Sequence, residues 1–175
     1  MNHFRYFTRN RLIILWAIVL CALLYRSADL NAASKELQGK IVAVIDGDTY
    51  DVITAQQYKY RVRMEGIDAP ERGMRFYKES KNYLSALALG KQVTVRWTKT
   101  DRSKRLIAFT HLGDRRELSH EMIKAGWAWH FTKYNKDSDL AALERTARLR
   151  RLGLWADSNP VAPWDYRKSR RSPRK

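Results

Sequence analysis

Cysteine is almost missing from this chain: Cys21 is the single one among 175 residues. One thiol forms no internal disulfide, so stability falls to packing, helped by any bound ion. Acid is scarce as well, with 18 Asp and Glu against 34 Lys and Arg, a formal charge of +16. That imbalance favours a polyanionic partner, because each phosphate neutralised releases condensed counterions. The apolar run Leu12 to Tyr25 has only 14 residues, short of the roughly 17–25 that a helix needs to span a bilayer. No internal repeat is visible. His111, His120 and His130 lack the mutual spacing and cysteine partners of a metal cluster, and they read as surface or core histidines. What is present argues for a packed domain. Apolar residues make up 45% and aromatics 11%, which excludes general disorder, and the length suits one domain rather than two.

The first 33 residues differ from the rest. Arg5, Arg9 and Arg11 precede the Leu12–Tyr25 run, and Arg26 and a small-residue stretch ending Asn31-Ala32-Ala33 follow it. These are the parts of a secretory signal over residues 1–33, cleaved near Ala33, giving an exported protein, periplasmic or secreted. An uncleaved membrane anchor with the domain facing outside is the alternative. Cleavage would leave a formal +13 and no cysteine.

From Lys40 the pattern becomes strand-like. Ile41–Ile45 is a short apolar run closed by Asp46-Gly47, a strong turn signal, and Tyr50–Ile53 resumes it. Between Tyr58 and Glu65 residues alternate, with Tyr60, Val62 and Met64 on one face and Arg61, Arg63 and Glu65 on the other. In a small barrel the apolar set fills the interior, so both arginines should point outward. Val93–Trp97 and Leu106–Thr110 are two further strands. Helices are expected over 77–89, stopped by Gly90, over 118–125, stopped by Gly126, and over 139–152, stopped by Gly153. The last should gather Leu140, Leu143, Ala147 and Arg150 on one side. The order predicts an α+β barrel rather than a doubly wound sheet. The basic stretch after Trp164 reads as a solvated tail over 157–175 with no site assigned.

Two acidic clusters, Asp46-Gly47-Asp48-Thr49 and Asp68-Ala69-Pro70-Glu71, flank the strand that carries Arg61 and Arg63. Pro70 disfavours the helical region for Ala69, so Asp68 and the Ala69 carbonyl can face one spot, with Glu71 just beyond. Two carboxylates 4 Å apart repel by roughly 4 kcal/mol at an effective dielectric of 20. A divalent cation turns that penalty into a site. Because the donors are all oxygens, Ca²⁺ is favoured, then Mg²⁺ or Mn²⁺, over zinc or copper.

Ile45-Asp46-Gly47-Asp48-Thr49, Tyr60-Arg61-Val62-Arg63-Met64 and Gly66-Ile67-Asp68-Ala69-Pro70-Glu71 resemble the hallmark segments of the staphylococcal (micrococcal) nuclease family. The likeness continues through Ala125–Trp129 and Arg151–Trp155, covering residues 38–156. It implies an OB-fold, a five-stranded β-barrel with three α-helices. It also implies Asp48 and Asp68 as calcium-binding carboxylates, Ala69 as the backbone-carbonyl ligand, Arg63 and Arg105 as catalytic arginines, and Glu71 as general base. The chain departs from the family pattern at Asp101-Arg102-Ser103-Lys104-Arg105, where the tyrosine and glycine of Asp-x-Tyr-Gly-Arg are replaced. That departure leaves Arg102 as a competitor for the second role. Arg61 is expected on the charged exterior, Trp127, Trp129 and Trp155 in the core, and Tyr77 and Tyr134 as base-stacking candidates.

The expected activity is Ca²⁺-dependent endonucleolytic hydrolysis of DNA and RNA with little sequence preference and 3′-phosphate products, by a monomer. Two rivals remain at this point. One is an OB-fold that binds single strands without cutting them. The other is a membrane-attached scaffold docking on anionic lipid.

Overall fold

The computed structural model describes residues 34–171. The expected signal or anchor over residues 1–33 lies outside them, as does the end of the basic stretch from residue 172. Among the described residues, no helix is long and apolar enough to cross a membrane.

Five strands close a barrel in the order β1–β2–β3–β6–β5. They are β1 Lys35–Val44, β2 Thr49–Ile53, β3 Lys59–Met64, β5 Gln92–Thr100 and β6 Leu106–Leu112. Neighbours are antiparallel except β3 and β6, which run parallel with Val62 opposite Leu106. Strand β1 serves two neighbours. Lys35–Lys40 pair with β5, and Lys40–Val44 pair with β2 across a register shift between Ile41 and Ala43. A bulge of this kind bends a strand sharply, which lets β1 turn the barrel's corner. Inside, Ile41, Tyr50, Val52, Val62, Met64, Val95 and Ala108 are essentially fully buried. The alternation expected of β3 therefore holds, with Val62 and Met64 inward.

Helix α1, Tyr77–Ala88, buries Ser80, Leu84 and Ala88, and Gly90 (φ 79°) follows it. Helix α2, Leu118–Lys124, starts at Glu117, whose side chain accepts hydrogen bonds from the Ser119 and His120 amides. This is a capping arrangement that satisfies otherwise orphaned donors. Helix α3, Ser138–Leu149, is capped likewise by Asp137. Its inward face keeps Leu140 and Ala147 buried and Leu143 partly so, but Arg150 lies exposed beyond its end. Gly153 is not its stop. The chain reverses at Arg151 (φ 53°), and Gly153 opens a short 3₁₀ turn, Gly153–Ala156.

Gly153 has a different task. A Cβ there would sit 2.3 Å from the Gly126 carbonyl, and one on Gly126 would sit 2.3 Å from the Leu152 carbonyl. Leu154 N–H donates to Gly126 O at 2.8 Å. The Gly-Trp-Ala-Trp and Gly-Leu-Trp segments thus contain glycine because two backbones touch where they cross. Around that crossing Trp129, Ala147, Leu154, Trp155 and Ala162 form a second, smaller core.

Two features go beyond the expectation of one barrel and three helices. A two-residue strand β4, Ile67–Asp68, pairs with β7, Trp129–His130, in a separate small sheet. The basic stretch also contains a fourth helix, α4, Pro163–Arg171.

Candidate active site

The first acidic turn joins β1 to β2. Asp46 Oδ1 accepts the Asp48 amide at 3.0 Å, and Asp48 Oδ1 accepts the Thr49 hydroxyl at 2.9 Å. Gly47 lies between them because α1 crosses closely there. A Cβ at this position would meet Ser80 Oγ at 1.9 Å and the Ala69 Cβ at 2.8 Å. The second cluster starts on β4, where pairing with β7 holds Asp68 1% exposed. The two clusters are stitched together directly, as the Ala69 amide donates to Asp48 Oδ2 at 2.7 Å, and the end of β3 is tied to the first cluster by the Met64 amide, which donates to the Asp48 carbonyl at 2.8 Å.

Arg63 points out of the barrel, as its strand position requires, yet it is not on open surface. With a side chain 13% exposed, it meets Asp48 Oδ2 at 3.0 Å and Asp68 Oδ1 at 2.8 Å. It also donates to the Ile67 and Met64 carbonyls at 2.8 and 3.1 Å. One guanidinium therefore bridges both aspartates, which shows that their oxygens converge. Arg61, two residues earlier, forms a paired contact with Asp51 at 2.7 and 3.0 Å on the exterior.

A cavity of about 500 Å³ opens at this point. Asp46, Asp48, Arg63, Asp68, Ala69, Glu71 and Arg105 all line it, so every site residue read from the sequence reaches one space. Tyr134 lines it too, whereas Tyr77 instead directs its hydroxyl to the Ile45 carbonyl at 3.3 Å. Trp129 and Trp155 are buried against each other, with ring centroids 4.4 Å apart, and Trp127 packs partly buried against Phe76 and Tyr83. These are core positions.

The substituted turn is held together by Asp101. Asp101 Oδ1 accepts the Ser103 and Arg105 amides, both at 2.9 Å, and its Oδ2 accepts Arg105 Nε at 2.8 Å. Lys104 adopts φ 61°, the left-handed conformation that glycine enters without cost. The turn therefore aims Arg105 at the cavity wall while carrying backbone strain. Arg102 is exposed and does not line the cavity.

Sequence reasoning missed Arg167. This residue of α4 donates to Asp68 at 2.7 and 3.2 Å and to Glu71 Oε1 at 2.6 Å. Composition concealed it inside a run of like charges. The available signal was Trp164, three residues earlier on the same helical face, an aromatic that a purely solvated segment has no reason to carry.

The charge balance of the cavity bears on whether a cation fits. Six carboxylates line it, those of Asp46, Asp48, Glu65, Asp68, Glu71 and Asp101, against four bases, Arg63, Lys99, Arg105 and Arg167, leaving an excess of negative charge. Burial, and then the neighbouring Asp48, pushes Asp46 up to about 7. Burial also raises Asp68, against the pull of Arg167 and Arg63. Burial opposes charge on Arg167, but its hydrogen bonds to Asp68 and Glu71 outweigh that and raise its pKa. Crowded, desolvated carboxylates with only oxygen donors fit a hard divalent ion. A second acidic group, His120, Asp137 and Asp139, brings ligand atoms within 4.8 Å of one another. None of the three lines the cavity, and two already have structural work. Asp137 caps α3, and His120 pairs with Glu117 at 2.6 Å.

A five-stranded barrel of the OB type, bearing outside its wall a cavity of converging carboxylates and guanidiniums, defines the class of protein. Residues 61–157 match the family described as "Staphylococcal nuclease homologue". An "Uncharacterized endonuclease" of Escherichia coli is 36% identical over 132 residues, 75% of this chain and 86% of that protein. A "Probable staphylococcal-like nuclease" of Oryza sativa subsp. japonica is 39% identical over 151 residues, 86% of this chain. An "Uncharacterized 38.1 kDa protein" of Capnoides sempervirens is 39% identical over 142 residues, 81% of this chain. The chain spans only 39% and 41% of the lengths of these two plant relatives. The chain belongs to the staphylococcal nuclease family.

Proposed function

We propose that this protein is a Ca²⁺-dependent endonuclease that hydrolyses phosphodiester bonds of DNA and RNA with little sequence preference, leaving 3′-phosphate ends. The observation that carries the reading is Arg63 bridging Asp48 and Asp68 in the cavity that also holds Glu71 and Arg105. Endonuclease and nuclease appear in the names of the bacterial and rice relatives.

Glu71, with a side chain 42% exposed, reaches solvent from the cavity. It takes a proton from a water molecule whose oxygen attacks phosphorus. The bond from phosphorus to the 5′ oxygen breaks, and that oxygen leaves with a proton from solvent. Arg63 and Arg105 offer N–H donors to the non-bridging oxygens as negative charge builds on them. Asp48 and Asp68, with the Ala69 carbonyl, would hold the cation, which supplies Lewis-acid polarisation of the phosphoryl oxygen when bound. A basic surface contacting backbone rather than base edges accounts for low sequence preference. We propose export through residues 1–33, which intact-mass analysis of the exported product tests.

Incubating plasmid DNA and a single-stranded RNA with Ca²⁺ or with EDTA, from pH 7 to 10, tests the activity. The expected result is cation-dependent cleavage of both with 3′-phosphate ends. Retention of nucleic acid without cleavage by any divalent cation would overturn the reading in favour of a binding protein.

A further inference from the structure

Glu71 lies just past Pro70, outside any strand or helix, and its carboxylate is one of the more exposed groups of the site. Its backbone is tied to Met74, its amide to the sulfur at 3.2 Å and its carbonyl to the Met74 amide at 2.9 Å. Among the described residues, the partner of the carboxylate itself is Arg167. A general base works only when its oxygen is held within hydrogen-bond reach of the water it deprotonates.

Arg167 is well placed to hold it. Helix α4 is docked rather than dangling: Pro163 and Ala162 are buried, and Trp164 stacks on Phe131 with centroids 5.2 Å apart and planes 2° from parallel. Trp164 also meets Trp129 edge-on at 5.6 Å. The preceding segment is fastened by Arg75 to Asp157 at 2.7 Å. One turn beyond Trp164, the Arg167 fork spans Asp68 and Glu71 with three hydrogen bonds. A guanidinium forms such a two-partner bridge through a rigid planar fork of donors, whereas an ammonium offers three donors without that fixed geometry.

We propose that Arg167 is a positioning residue of the active site: it fixes the Glu71 carboxylate beside Asp68 and locks α4 over the cavity. This rests on the nuclease reading above and deepens it by making the C-terminal helix part of the catalytic apparatus. The full chain carrying Arg167→Ala should lose about 10–100-fold in kcat on a defined oligonucleotide, with KM changed less than about threefold, as misplacement of a base predicts. Arg167→Lys should recover part of the loss, and millimolar guanidinium should recover part of it in Arg167→Ala. Amide hydrogen exchange across 163–171 should quicken in Arg167→Ala while the barrel strands keep their protection. Should Arg167→Ala prove too unstable to purify, Arg167→Gln, close in length and uncharged, takes its place.

Unchanged or increased kcat in the variant, a loss confined to KM, or unaltered exchange in α4 would each overturn the proposal. Increased kcat would make Arg167 a brake instead. A wild-type protein inert with every divalent cation would overturn the nuclease reading, whereas an active wild type with an indifferent variant overturns only this one.

Discussion

At the scale of single residues, the nuclease reading proposed above assigns the chemistry to Arg63 and Glu71, and on that reading their losses should look alike in rate but differ in stability. Arg63→Ala removes a donor to the phosphoryl oxygens and should lower kcat about 10²–10³-fold. It also leaves Asp48 without its guanidinium, so unfolding midpoints should fall while the fold survives. Glu71→Gln keeps shape and removes the base, which should lower kcat about 10²–10⁴-fold with little change in stability. Steady-state kinetics with denaturant unfolding on both variants checks this pair. Lys104 is strained without a catalytic task. Left-handed backbone costs a non-glycine residue about 1–2 kcal/mol, offset by glycine's larger unfolded-state entropy of about 0.5–1 kcal/mol. Lys104→Gly should therefore stabilise by up to about 1.5 kcal/mol and leave activity intact, which a thermal melt and a digestion assay decide.

At the scale of elements, two contacts hold the site's supports in place. The close crossing of α1 over the β1–β2 turn admits only glycine at position 47, given the 1.9 Å and 2.8 Å approaches of Ser80 and Ala69. Ser80 has little room to move because its hydroxyl donates to the Trp127 carbonyl at 2.7 Å. Gly47→Ala should cost about 1–3 kcal/mol by overpacking and displace Asp46 and Asp48 from the cavity. Denaturant titration reads the first effect and cation-binding calorimetry the second. The cap of α2 is pH-sensitive. The Glu117 hydrogen bond raises His120 above its ordinary 6.5, so that contribution is full below 6.5 and fades as pH rises through the raised value. Burial opposes charge on Glu117, but His120 and the Ser119 and His120 amides lower it below 4.5, so its contribution is lost only as pH falls through that lowered value. The pair thus supports the fold between about 4.5 and 6.5. In urea unfolding at pH 5.5 and 8.5, His120→Gln should show a smaller difference than wild type.

For the whole molecule, the second core is what ties the C-terminal segment to the barrel domain. Trp164 contacts Phe131 and Trp129, and Arg148 lies 3.8 Å over the Trp155 ring. Each aromatic pair is worth about 0.5–1.5 kcal/mol beyond area burial. Trp164→Ala should therefore destabilise by about 2 kcal/mol and quicken proteolysis near residues 157–171. Limited digestion mapped by mass spectrometry checks it. Unchanged cleavage there would mean that α4 does not depend on this packing.

Much of this architecture was legible in the residues themselves. The site residues were named through the resemblance of three segments to a known family, whereas alternation gave β3 and Asp-Gly gave the first turn. These are local rules, set by backbone sterics and by side chains a few positions apart, and a sequence states them directly. Tertiary structure decided the rest. Gly126 and Gly153 are required by a crossing of segments 27 residues apart, and His120 meets Asp137 and Asp139 only because α2 packs on α3. Arg167 lies 96 positions from Glu71, and neither charge nor periodicity marks it from its neighbours. Pairing over such a distance depends on how the barrel, the small sheet and α4 pack together, and no stretch of sequence read alone contains that information.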